Sequence, residues 1–101
     1  MTDFATSIER LRNHVRHWER PRWSARTPAG TKADLTYALI QHLADLGADA
    51  EDRPRRPVPR EADQILPDQL LVVADDLLAA TADPAVLAGA TAAVHTLRAA
   101  L

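Results

Sequence analysis

The sequence predicts an all-α fold, a single domain in which four helices form an up-and-down bundle. Two observations predict the helices: apolar residues recur at intervals of three and four in four stretches, and loops that contain proline separate these stretches. A third observation excludes a sheet, because no stretch alternates apolar and polar residues with the period of a strand. The expected helices span residues 3–19, 31–47, 66–81 and 84–100 of one domain, residues 1–101.

The first expected helix carries a narrow apolar stripe and has clear limits. Thr2 or Asp3 can cap its start, and Pro21 is expected to end it at or just before Arg20. The spacing of the stripe is four, three, four and three residues, through Phe4, Ile8, Leu11, Val15 and Trp18.

The second expected helix begins with a capping signal. Thr31 and Asp34 resemble a capping box, and Gly47 is a natural C-terminal stop. His42 falls between Ala38 and Leu46 on the face that we expect to be buried. The other apolar residues of this face are Leu35, Leu39 and Leu43.

The stretch from Asp49 to Arg60 contains three prolines among four arginines. It cannot be helical and is expected to be extended, near polyproline II. We interpret it as a stiff connection that crosses one end of the bundle between the second and third helices.

The third and fourth expected helices are joined by about three residues, which predicts that they are antiparallel neighbours. Pro67 suits a first helical turn, and Asp83 with Pro84 predicts an N-cap followed by N1. These helices carry more apolar surface than one stripe each requires. The excess predicts an oligomer interface, most plausibly of a homodimer, formed by Leu71, Val72, Leu78, Gly89 and Ala93.

Charge is distributed unevenly along the chain, whose net charge is −2. Residues 1–30 sum to +3, whereas residues 61–101 sum to −5. The arginines of the two loops are a candidate surface for an anionic ligand or partner, together with Trp23, which either folds back on the bundle or anchors an interface. This surface comprises Trp23, Arg20, Arg22, Arg26, Arg53, Arg55 and Arg56. Because an up-and-down bundle places the two loops at opposite ends, nucleic acid is a less favoured partner.

Catalytic and cofactor motifs are not evident. There is no cysteine, no glycine-rich phosphate loop and no carboxylate–histidine metal pattern, so we expect neither an enzyme nor a cofactor. A small ligand held near His42, with His14 as a second candidate, is an alternative.

The composition also bounds the environment of the protein. It is rich in alanine and uses arginine in place of lysine, with Lys32 alone, and in this it resembles small proteins of high-GC bacteria. No signal peptide and no membrane-length apolar run is evident, so we expect a cytoplasmic protein that does not bind membranes. The predicted function is a helical interaction or assembly module, whose partner is a second copy or another protein. The alternatives are anion or nucleic-acid binding through the arginines and ligand binding near His42.

Overall fold

The computed structural model describes residues 3–101 and is mostly helical, which confirms the predicted class. A 3-10 turn, Asp63–Ile65, leads directly into the fourth helix. The helices are α1 (Phe4–Val15), α2 (Arg20–Trp23), α3 (Lys32–Ala50), α4 (Leu66–Ala80) and α5 (Pro84–Ala100). Two strands, β1 (Arg26–Thr27) and β2 (Gly30–Thr31), form a small hairpin before α3.

The end of the first helix differs from the prediction. Asp3 caps α1 as expected, accepting a hydrogen bond from the Thr6 amide at 2.8 Å, but α1 ends at Val15 and not at residue 19. Pro21 lies in the first turn of a separate short helix, α2, where the missing amide of proline leaves no hydrogen bond unmade. The proline that was expected to end one helix therefore starts another.

The hairpin contradicts the prediction that the chain has no strand. Arg26 pairs with Thr31, and Thr27 pairs with Gly30. Gly30 has a φ of +130°, a conformation that only glycine adopts readily, and the Thr27 hydroxyl donates to the Gly30 carbonyl at 2.8 Å. Strands of two residues are too short to produce an alternating pattern, so periodicity could not reveal them.

Helix α3 begins as predicted and ends later. The capping box is present, with the Asp34 amide donating to the Thr31 hydroxyl at 3.0 Å and the Thr31 amide donating to the Asp34 carboxylate at 3.1 Å. Gly47 does not stop the helix, which continues to Ala50. A Cβ added to Gly47 would lie 4.0 Å from the Cα of Leu77, so this glycine allows α4 to approach closely.

The proline- and arginine-rich connection runs back along α3 and does not cross one end of the helices. As the connection advances from residue 55 to residue 60, its partners on α3 recede from residue 49 to residue 34. Helix α4 therefore starts beside the N-terminus of α3, and the two run in the same direction. A strict up-and-down order does not describe this pair. The hydrogen-bonded pairs are Arg55 with Asp49, Gln41 with Arg56 and Val58, Tyr37 with Val58, and Arg60 with Asp34.

The long helices pack in a ring. Helix α3 packs on α4 and α5, and α1 packs on the same two helices. The start of α5 is as predicted, since the Asp83 carboxylate accepts from the Ala85 amide at 2.9 Å. However, α4 and α5 do not pack along each other as neighbours, since each of them packs on α1 and α3 instead. The core includes Leu11, Trp23, Ile40, Leu43, Leu66, Leu70, Leu77 and Val94.

Candidate functional site

An open groove lies between α3, α5 and the hairpin and has a volume of about 660 Å³. We call it the α3–α5 groove. Its wall on α3 is formed by Leu35, Ala38, Leu39 and His42. The wall on α5 is formed by Ala93, Thr96, Leu97 and Ala100, and the hairpin closes one end with Thr27, Pro28 and Ala29.

The groove exists because the apolar arc of α3 is wider than its contact with the core. The core takes the side of α3 that carries Thr36, Ile40 and Leu43, all fully buried. The opposite side of the same arc, which includes Ala38, is left to the groove. His42 lies on this side and is exposed, so the prediction that it is buried was wrong.

Helix α5 contributes a wall of mostly short side chains. The Lys32 ammonium donates to the main-chain carbonyl of Leu101 at 2.8 Å, which joins the start of α3 to the end of α5. The two helices are therefore antiparallel, so Ala93 lies toward the His42 end of the groove and Ala100 toward the hairpin end. Methyl side chains at these positions leave space between the helices, which gives the groove its depth.

The polar side chains of the groove are already hydrogen-bonded, with one exception. The Thr27 hydroxyl donates to Gly30 and accepts from the Ala29 amide at 3.2 Å, and the Thr96 hydroxyl donates to the Ala92 carbonyl at 3.0 Å. His42 is the one ionisable residue of the lining, and within residues 3–101 its ring takes part in no hydrogen bond or ion pair. The groove is thus a mostly apolar surface with one polar side chain, His42, that is not hydrogen-bonded, at the end remote from the hairpin.

Trp23 lies in the core and not on the surface of the molecule. It is 1% exposed, and its ring meets that of Trp18 edge-on at 4.9 Å. Trp18 in turn lies between two cations, since the Arg22 guanidinium and the Lys32 ammonium are 5.0 Å and 5.3 Å from its ring. Trp23 folds back into the core, so its side chain is not an exposed interface anchor.

The predicted arginine surface is only partly free. Arg55 binds the Asp49 carboxylate at 2.7 Å and 3.0 Å, and Arg53 binds Glu51 at 3.1 Å. The bonds from Arg55 lower the pKa of Asp49, and the same carboxylate raises the pKa of Arg55. Arg20, Arg22, Arg26 and Arg56 are exposed, and an anionic partner for them stays a prediction.

The residues of the predicted oligomer interface lie on separate surfaces. Leu71 and Leu78 line a hollow of about 310 Å³ between α1 and α4, whereas Val72 lies in another of about 300 Å³ beside Val58. Ala93 belongs to the α3–α5 groove, and Gly89 has no atom within 4 Å of an added Cβ. The structure does not bring these five residues together.

His14 is also separated from His42. It lies on α1, where its ring meets Trp18 at 5.6 Å, and it does not line the groove. Sequence reasoning did not identify the hairpin residues as part of a site, and it assigned Leu35 and Leu97 to packing between helices. The one signal of the groove in the sequence was the width of the apolar face on the second predicted helix.

No cluster of three or more histidine, aspartate or glutamate side chains within residues 3–101 is arranged to hold a metal ion. None of the described helices is both long and apolar enough to span a membrane. No family model, no curated protein and no solved structure matches this chain.

Proposed function

We propose that the protein is a small binding module that holds a compact apolar molecule in the α3–α5 groove. The observation that carries the proposal is an open cavity of about 660 Å³ whose lining is apolar or internally hydrogen-bonded except at His42. Small-molecule sites have volumes of roughly 300–1,000 Å³ and this same balance of apolar wall and few polar groups. The proposal keeps the prediction that the protein is not an enzyme.

The size of the groove favours a small molecule over a protein partner. A stable protein interface buries roughly 800 Å² on each partner and involves about 20–30 residues a side. The groove is lined by 11 residues. A protein surface would have to extend well beyond it, whereas a small molecule would be held by the groove alone.

The expected affinity is moderate. A drug-sized ligand gains about 0.3 kcal/mol per non-hydrogen atom, so a guest of about 20 such atoms would bind with a dissociation constant of tens of micromolar. This range is within reach of direct titration.

The test is a fluorescence titration with N-phenyl-1-naphthylamine, an uncharged dye that brightens in apolar surroundings. We expect one saturable site in the natural protein. Ala38→Phe would fill the groove and weaken binding by about tenfold, or 1.4 kcal/mol. The matched control is Ala88→Phe, an exposed alanine of α5 outside the groove lining, which would leave binding unchanged. Absence of saturable binding, or equal binding by both variants, would contradict the proposal.

Self-association is a second candidate function, as the sequence predicts. The observation in its favour is that the large exposed apolar side chains of the described chain all lie on α4 or the turn before it: Ile65, Leu71, Val72 and Leu78. Light scattering at low and high salt tests it. A dimer that persists in salt and is lost on Val72→Asp would support an apolar interface of α4, and a monomer at all concentrations would exclude one.

A further inference from the structure

We infer that the guest of the α3–α5 groove is an amphiphile with one anionic group, which His42 binds while the apolar body extends toward the hairpin. This inference rests on the proposed function and adds the chemical class of the ligand and its direction in the groove.

The direction follows from where the lining residues lie. On α3 the groove runs from Leu35, near the hairpin, to His42, seven residues further along. At the helical rise of 1.5 Å per residue this is about 10 Å. Pro28 and Ala29 line the hairpin end, so within the lining the one ionisable side chain that can bind a polar group of the guest, His42, is at the other end.

The charge of that group follows from the chemistry of the imidazole. A histidine ring donates a hydrogen bond in both of its protonation states, whereas it accepts one only when neutral. A guest that carries an acceptor is therefore satisfied in either state, and it gains a charge-assisted bond when the ring is protonated. The free ring of His42 thus favours a guest with an acceptor, and an anionic acceptor, such as a carboxylate or sulfonate, adds charge attraction to the hydrogen bond.

The nearby carboxylate of Asp45 does not bind the ring of His42. Asp45 lies one turn further along α3, and its carboxylate accepts a hydrogen bond from the side-chain amide of Gln41 at 2.9 Å. Gln41 also donates to the Arg56 carbonyl and accepts from the Val58 amide, so it holds Asp45 beside the connection. The ring of His42 stays available to a molecule in the groove.

The experiment compares two dyes that differ in charge. 8-Anilinonaphthalene-1-sulfonate has the same aromatic body as N-phenyl-1-naphthylamine and adds one sulfonate. We expect the sulfonate dye to bind more tightly to the natural protein. His42→Leu would lower the affinity for the sulfonate dye by about tenfold relative to the affinity for the uncharged dye, and His42→Gln, which keeps an N–H donor, would recover part of this difference. The control His95→Leu alters an exposed histidine of α5 outside the groove lining and would change neither dye.

The two proposals fail in different ways. If His42→Leu affects both dyes equally or neither, the anionic guest is overturned, while the groove itself stands as long as Ala38→Phe weakens the uncharged dye. If the uncharged dye does not bind the natural protein at a saturable site, the proposed function falls. A sulfonate dye that then still binds with dependence on His42 would locate an anion site without an apolar groove, which also overturns the inference.

Discussion

Gly47 of α3 faces the main chain of Leu77 on α4: a Cβ added to Gly47 would lie 4.0 Å from the Cα of Leu77. That distance is an ordinary van der Waals contact, so one methyl group fits beside Leu77. Because Gly47 is buried within a helix, its lack of a side chain serves packing and not the end of the helix.

Substitution of Gly47 tests this packing. Gly47→Ala is expected to stabilise the protein by about 0.5–1 kcal/mol, since alanine favours helix over glycine and the methyl group has room. Gly47→Leu is expected to destabilise it by about 1–3 kcal/mol through overpacking. Gly89→Ala and Gly89→Leu are the matched controls, because nothing lies within 4 Å of a Cβ added to Gly89. Urea unfolding measures all four variants, and equal stability of the two leucine variants would contradict the close approach.

Gln41 fastens the connection to α3 and is expected to determine its path. Its side-chain oxygen accepts from the Val58 amide at 2.7 Å, and its nitrogen donates to the Arg56 carbonyl at 3.0 Å. Gln41→Ala would leave the half-buried Val58 amide without a partner and lower the free energy of unfolding by about 1–2 kcal/mol. Gln64→Ala, at an exposed position, is the control, with an expected change within about 0.5 kcal/mol. A Gln41 variant as stable as this control would show that the connection is held by other contacts.

Asp34 predicts a loss of stability in acid. The Thr31 amide, and to a smaller extent Arg60, hold the pKa of Asp34 below its ordinary value of 3.8. Because the pKa of Asp34 is lower in the folded chain than in the unfolded chain, its ionised carboxylate stabilises the fold fully above about pH 4. This stabilisation is lost as the pH falls through the pKa of Asp34 in the folded chain. The melting temperature of the natural protein should therefore fall on acidification below pH 4, and that of Asp34→Asn should fall less steeply.

Asp3 and Asp49 also have lowered pKa values, so a shallower acid slope remains in the Asp34 variant. Asp76→Asn replaces an exposed aspartate of α4 and should keep the slope of the natural protein. Identical slopes for all three proteins would contradict the contribution of the capping box.

The two tryptophans are expected to differ in solvent access. Trp23 is 1% exposed, whereas Trp18 is half-buried. In Trp18→Phe the remaining fluorescence of Trp23 should resist acrylamide, and in Trp23→Phe that of Trp18 should be quenched readily. Trp23→Phe should also cost about 1–3 kcal/mol of stability because it leaves a cavity in the core. Strong quenching of Trp23 would show that it does not fold back.

Local signals in the sequence were sufficient to locate the starts of several helices. The capping box of Thr31 and Asp34 and the cap of Asp83 before Pro84 involve residues that are three or fewer apart, so the pattern and the contact coincide. Pro21 was ambiguous, since a proline suits the first turn of a helix as well as the residue after one.

The path of the connection could not be read from the sequence. It depends on hydrogen bonds from Tyr37 and Gln41 to residues 15–21 positions away, and such contacts leave no periodic pattern. The relative direction of α3 and α4 follows from that path, so the predicted up-and-down order failed at the same point.

The candidate site was half visible in the sequence. The position of His42 among apolar residues makes it a candidate ligand contact. The sequence does not show that this face of α3 meets the small residues of α5, or that the hairpin closes one end of the groove. The signal in the sequence was an apolar face on this helix that is wider than packing in the core requires. The part of this face that the core does not cover lines the groove.

The most direct test of the groove is an NMR measurement on protein with labelled leucine methyl groups. On addition of N-phenyl-1-naphthylamine, we expect intermolecular nuclear Overhauser effects to the methyl groups of Leu35, Leu39 and Leu97, which line the groove. Leu71 and Leu78, on the far side of α4, serve as internal controls and should show none. Contacts to the α4 leucines in place of the groove leucines, or no contacts at all, would contradict the account.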